Sequence, residues 1–299
     1  MEDTMDRFKS AKKASTLGII GNIFLLIIKG IIGIITKSQA MIADSLNSAG
    51  DIFSSLMTYI GNKIASQPKD EDHNLGHGKA EYIYSLLISI VMILTSVIII
   101  KDGALSLIQN KKYAYSNWLI IVCIITIIIK LSLYIYTSKI GKKYNNLLIK
   151  ANSKDHINDC ILTTCNLISC VLAKQNIFIF DGIVGIIIGL WILVTGIKIY
   201  KESYDVLMDK AIDEETKQEV YKIIKQHKEI KRIQHFNSTP IGYMYQISVT
   251  IYVDGNLTTF ESHEIADNLE KEITKNINEI YLAVIHVNPI KINESSNNK

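Results

Sequence analysis

Two polar stretches interrupt otherwise apolar segments: Asp44-Ser45-Leu46-Asn47-Ser48-Ala49-Gly50-Asp51 and, about a hundred residues later, Asp155-His156-Ile157-Asn158-Asp159. Asn47 and Asp51 are four residues apart, as are Asp155 and Asp159. On helices each pair projects from one face, one turn above the other. Two such faces turned toward each other present one amide oxygen and three carboxylates, a donor set for a hard divalent cation. An ionisable side chain at the centre of a membrane helix costs about 2.5–3.5 kcal/mol even on the lenient insertion scales, so such a set requires an offsetting partner. That partner is either a bound cation or a buried lysine, Lys29 or Lys130. Three neighbouring carboxylates also repel, and metal and protons therefore compete for one site.

The elements that must carry these faces are membrane helices. Of the 299 residues 48% are hydrophobic, only three are proline, and mean hydropathy is +0.20. The apolar residues concentrate between positions 15 and 200, and residues from about 205 to 290 read as a soluble domain. Six spans are expected, at residues 15–36, 40–65, 80–107, 117–139, 147–173 and 177–200, the second and fifth carrying the polar faces. Asp181 and the small residues Gly182, Gly185, Gly189 and Gly196 fall in the sixth, where small side chains permit close helix packing. The amino terminus, the 66–79 loop and the 139–150 loop are rich in lysine, whereas the intervening loops hold only Lys37, Lys111, Lys112 and Lys174. The positive-inside rule then places both termini in the cytoplasm, and a multi-pass protein of the plasma (inner) membrane is expected.

The expected division is a cytoplasmic segment 1–14, a transport domain 15–204, a cytoplasmic domain 205–292 and a disordered tail 293–299. In the third part a charged helix over 213–225 precedes strands over 230–236 and 243–253, a helix over 260–277 and a strand over 281–287. The fold class is therefore an α-helical membrane domain with six transmembrane helices plus an α-β-β-α-β, metallochaperone-like α+β module. Cys123, Cys160, Cys165 and Cys170 all lie in expected spans without a CxxC pair and are read as apolar fillers. A formal net charge of +3 is unremarkable, and no nucleic-acid partner is expected.

Six spans, the DSxNSxxD stretch ending at Asp51, the loop Asp70-Glu71-Asp72-His73-Asn74-Leu75-Gly76-His77-Gly78-Lys79-Ala80-Glu81, the DxxxD of Asp155 and Asp159 and the α-β-β-α-β tail together resemble the cation diffusion facilitator family. The resemblance runs from about residue 10 to 290. It implies a homodimeric metal/proton antiporter that exports divalent cations by alternating access, with Asn47, Asp51, Asp155 and Asp159 as the transport site and no cofactor beyond the transported ion. Zinc-type members carry His or Asp where this chain has Asn47 and His where it has Asp155. An oxygen-only shell disfavours the imidazole-seeking Zn²⁺ and accepts Mn²⁺, so the manganese-exporting branch is expected, with Zn²⁺, Fe²⁺ or Co²⁺ as alternatives. By the same resemblance, Asp44 supports the site without ligating, and Asp70, His73 and His77 match a loop metal site. Lys79 matches a lysine that pairs, near the dimer junction, with an acid after the sixth span, for which Asp209 is the candidate. His156, about 100° around the helix from Asp155, is expected as a neighbouring polar contact. His235, His263 and His286 fall where zinc-type relatives bind metal across the dimer, but Thr250 and Asn288 replace two of the expected ligands.

A passive cation channel and a membrane metalloenzyme are the rival classes. The first is disfavoured because the acids form a compact set on two non-adjacent helices without a pore-loop pattern. Against the second, no nucleophile constellation, HExxH or P-loop occurs.

Overall fold

The computed structural model describes residues 2–36, 39–109, 117–173 and 179–290. Six long helices come first: α1 (Glu2–Thr36), α2 (Gln39–Ala65), α3 (Ala80–Gln109), α4 (Asn117–Lys143), α5 (Leu147–Ala173) and α6 (Ile179–Leu207). Then follow α7 (Glu214–Gln226), β1 (Arg232–Ile241), β2 (Met244–Asp254), α8 (Thr259–Asn276) and β3 (Ile280–Ile290). The chain divides into two compact units, Met1–Pro68 with Ala80–Tyr204, and Lys69–Lys79 with Asp205–Lys299. The 69–79 loop therefore belongs with the second unit. Residues 2–14 are no separate segment but the first turns of α1. The tail at 293–299 lies outside the described residues.

The helical unit is polar inside and apolar outside. Along α1 the buried positions include Arg7, Ser15, Asn22 and Lys29, while Ile20, Phe24, Ile27 and Ile31 are exposed. The same inversion holds in α3, where Glu81, Ser85, Ser89 and Ser96 are buried and Leu94, Val97 and Ile98 face outward. In water this would be a failed fold, because exposed aliphatic surface and buried polar groups both carry a penalty. In a bilayer it is the favourable arrangement, since lipid solvates the aliphatic face and polar groups seek one another. Among the described residues three helices are long and apolar enough to cross a membrane, at Asp6–Ile32, Ala80–Ile108 and Ile120–Lys143. The helices that carry the polar faces, α2 and α5, pack among these three.

One joint ties the loop-side ends of α1, α3 and α5. Arg7 Nη2 donates to Glu81 Oε2, and Arg7 Nε donates to the Tyr144 carbonyl at 3.2 Å. Glu81 Oε1 accepts from the Leu147 N–H at 2.6 Å, and Glu81 Oε2 accepts from Asn146 Nδ2 at 3.3 Å. Asn146 Oδ1 accepts from the Ile149 N–H at 2.9 Å, which makes Asn146 the N-cap of α5. A carboxylate at this end also complements the helix dipole.

The second unit is a three-stranded sheet in the order β1-β2-β3, with β1 and β2 antiparallel and β2 and β3 parallel. Period-two alternation buries Ile247, Val249, Ile251 and Val253 of central β2 against Val220, Ile223 and Ile224 of α7 and Leu269 and Ile273 of α8. Edge position lets β1 accommodate Pro240 and so reach Ile241, beyond the expected end at 236. Gly242, at φ +64, turns the hairpin between β1 and β2 and rests on Gly78. A Cβ on Gly78 would stand 3.1 Å from Gly242 Cα, so neither position has room for a side chain without displacing the 69–79 loop.

Candidate functional site

Lys130, Asp51 and Asp159 share one depth. Lys130 is thirteen residues from either end of α4 (117–143), and Asp51 and Asp159 are twelve from the starts of α2 (39) and α5 (147). At 1.5 Å per residue that is roughly 20 Å from each end, the middle of the three helices. The carboxylates of Asp51, Asp155 and Asp159 converge there, each offering an oxygen within 4.8 Å of the others. The spacing of four in each polar stretch is what aims them together, because α2 and α5 pack directly.

Asp51 and Asp159 are both buried and both bound by one lysine. Lys130 Nζ donates to Asp51 Oδ2 at 2.7 Å and to Asp159 Oδ2 at 2.5 Å, and the lysine side chain is fully buried. Of the two offsets open to the sequence, the buried lysine is therefore the one present, and α4 contributes to the site. Asp155 differs from the other two. Its Oδ2 is buried and has no hydrogen-bond partner among the described residues, while the Ser54 hydroxyl hydrogen-bonds to the same carboxylate. Lys29 points to α2 as well, with Nζ donating to Ser48 Oγ at 3.2 Å. The backbones of Asp44 and Asn47 are helical, but their side chains lie outside the described residues, as does that of Asp181.

Next to the carboxylates is a set of amides around Ser55. Asn22 Nδ2 donates to Ser55 Oγ at 3.2 Å and to the Asp51 carbonyl at 3.0 Å, and Asn152 Nδ2 donates to Ser55 Oγ at 3.4 Å. His156 is fully buried beside them, and neither ring nitrogen has a partner among the described residues. Gly18 makes the space: a Cβ there would stand 2.8 Å from Ser55 Oγ and 3.5 Å from His156 Nε2. His156 is thus a polar neighbour on a different face from the three acids. Buried amide oxygens of Asn22 and Asn152, together with the two imidazole nitrogens, form a surface that water can satisfy. Lys130, Asn22, Ser55 and Asn152 escaped the reading by spacing. The available signal was a lone charge, Lys130, in an apolar span.

In the second unit Asp70, His73 and His77 come together without a helix. Asp70 Oδ1 accepts from the His73 N–H at 2.6 Å and lies 3.1 Å from His73 Nδ1, and Asp70 Oδ2 is 3.3 Å from His77 Nε2. The His73 N–H, with the side chain of the same residue, holds the Asp70 carboxyl below the usual carboxylate range. One ligand atom from each of the three lies within 4.8 Å of the others. Lys79 Nζ donates to Asp209 Oδ1 at 2.6 Å, the pair expected from the resemblance. His235 occupies a bulge of β1 at φ +50, His263 lies 3.6 Å from Asp267, and His286 Nε2 is 3.1 Å from Asn288 Oδ1. Among the described residues of one chain these three histidines form no common site.

A sequence model of the cation efflux transmembrane domain matches residues 15–208, and one of the cation efflux protein cytoplasmic domain matches residues 212–290. The manganese efflux system protein MneP of Bacillus subtilis (strain 168) is 29% identical over 291 residues, covering 95% of this chain and 98% of MneP. The magnetosome protein MamB of Magnetospira sp. (strain QH-2) is 24% identical over 264 residues, covering 88% and 90%. The manganese efflux system protein MneS of the same Bacillus strain is 27% identical over 286 residues, covering 96% and 98%. With the two domain models matching residues 15–208 and 212–290 and three carboxylates gathered at the centre of its helices, the chain belongs to the cation efflux, or cation diffusion facilitator, family of transporters.

Proposed function

We propose that this protein is a homodimeric antiporter of the plasma membrane that expels Mn²⁺ from the cytoplasm in exchange for protons, by alternating access to one site. The observation that carries this reading is the convergence of Asp51, Asp155 and Asp159 at mid-helix with oxygen as the only ligand element. Carboxylate oxygens suit Mn²⁺, whereas a site without imidazole or thiolate gives Zn²⁺ none of its preferred ligands. Relatives whose names record manganese efflux match almost the whole chain, which supports the same ion. Asn47 supplies the fourth oxygen, one turn from Asp51 on α2. Because protons bind the same carboxylates as the metal, release of one accompanies uptake of the other, and the inward proton gradient drives export.

The membrane crossing of all six helices, with both termini cytoplasmic, belongs to this proposal and is supported by the lysine asymmetry of the loops. The loop trio Asp70, His73 and His77 is a second cation site on the cytoplasmic side, two imidazoles giving it a preference for softer ions than the central one. Dimerisation is assigned to the second unit, which matches the family's cytoplasmic domain.

The experiment is metal-dependent proton flux in proteoliposomes containing the purified protein. Mn²⁺ entry is expected to release protons in the wild type, and Asp51→Ala or Asp159→Ala is expected to abolish both fluxes while the protein still elutes as a folded dimer. Wild-type flux in either variant would remove the site. Flux without a proton counterpart would favour the channel.

A further inference from the structure

We propose that Lys130 is a tethered competitor of the cargo: its ammonium occupies the space between Asp51 and Asp159 when no metal is bound, and must withdraw along α4 for a divalent cation to enter. This rests on the transport-site reading above. The geometry leaves little room for both. Nζ stands 2.7 and 2.5 Å from the two Oδ2 atoms. A hard divalent cation shared by the same carboxylates would lie about 2.0–2.6 Å from their oxygens. The two cations would then be almost in contact, in a medium too poorly solvated to screen them. Withdrawal requires a flexible stem and a second acceptor, and both are present. Lysine carries its charge on a flexible four-carbon chain. Side chains of a helix lean toward its amino terminus, which brings Lys130 over Thr126, one turn earlier on the same face. Thr126 Oγ1 is buried and has no hydrogen-bond partner among the described residues. It can accept the displaced ammonium, whose charge does not change in the exchange.

The arrangement gives the empty carrier a cation of its own. With Lys130 seated, α4 is pinned to both α2 and α5 through one atom. With metal seated, the pinning ion joins α2 to α5 and releases α4. Each turn of the cycle therefore swaps one cross-link for another, and Asp51 and Asp159 are never left without a cation between them.

The test is Mn²⁺ titration calorimetry on the purified full-length protein at one fixed pH. If the ammonium fills the site nine-tenths of the time, removing it raises the apparent affinity about tenfold. Lys130→Met is expected to bind Mn²⁺ about tenfold more tightly than wild type. Lys130→Arg, whose guanidinium can grip both carboxylates at once, is expected to bind about tenfold more weakly. Thr126→Val, which removes the second acceptor, is also expected to weaken binding. A lysine that merely props the carboxylates apart would make Lys130→Met bind less tightly, and equal or weaker binding in that variant overturns the proposal. Should Lys130→Met fail to fold, Lys130→Arg decides: binding as tight as wild type overturns the competitor role. Asp51→Asn separates this from the underlying reading. Undiminished Mn²⁺ binding in Asp51→Asn removes the transport site itself, whereas its loss together with no gain in Lys130→Met removes only the role of Lys130.

Discussion

At the scale of single residues, ion choice is a matter of which atom faces the cation. Asp51, Asp155 and Asp159 offer only carboxylate oxygen, and the expected α2 partner, Asn47, adds an amide. Replacing Asn47 and Asp155 together by histidine introduces two borderline nitrogen ligands and is expected to shift proteoliposome transport from Mn²⁺ toward Zn²⁺. A wild type that already prefers Zn²⁺ would leave the family assignment intact and remove the ligand argument. The three acids were legible because their spacing of four repeats the helical turn. Lys130 was visible only as a lone charge, because its partners lie 79 and 29 residues away and their meeting depends on how α2, α4 and α5 pack. The Asp70 trio was legible as residue types, but not as geometry. The spacing of four between His73 and His77 would bring them together on a helix, but the chain forms turns around Asp70, with the imidazole centroids 4.4 Å apart.

Among the elements, the soluble module was the most legible part, because alternation in β2 and capping residues in α7 and α8 are local signals. Asp213 caps α7 by accepting from the Thr216 N–H at 2.9 Å, and Thr258 and Glu261 form a capping box at the start of α8. The start of α1 was least legible. Lys9, Lys12 and Lys13 read as a basic tail, yet the three are exposed while Arg7, Ala11 and Ala14 are buried on the opposite stripe of one continuous helix. Asp213→Ala and Thr258→Ala are each expected to cost about 1 kcal/mol, read as a lower melting transition of the cytoplasmic unit in the full-length protein. The same caps predict an acid limit. The Thr216 N–H holds the Asp213 carboxyl below its ordinary value, and the Thr258 N–H does so for Glu261. A carboxyl depressed in the folded state contributes its stability above the unfolded pKa, near 4, and loses it as pH falls through the lower folded value. Thermal melts between pH 6 and 3 are therefore expected to fall most steeply below about pH 4, and less so in Asp213→Asn, which keeps a capping oxygen without the charge.

For the molecule as a whole, the inverted distribution of polarity is what makes the helical unit coherent in lipid. α2 and α5 look poorly suited to a membrane one at a time, yet among the described residues several of their polar groups meet partners on each other and on α1 and α4. The joint of Arg7, Glu81, Asn146 and the Leu147 N–H has a mechanical consequence. It fastens three helices at one end of the bundle. A lever held at one end sweeps its widest arc at the other, so the fastened end is a fulcrum and a change of cation at the centre is amplified with distance from it. Spin labels at Ile34 and Val171, near the far ends of α1 and α5, are expected to change separation on adding Mn²⁺ by more than labels at Lys9 and Lys150, near the fastened ends. Equal changes at the two ends would mean that the helices slide past each other rather than pivot.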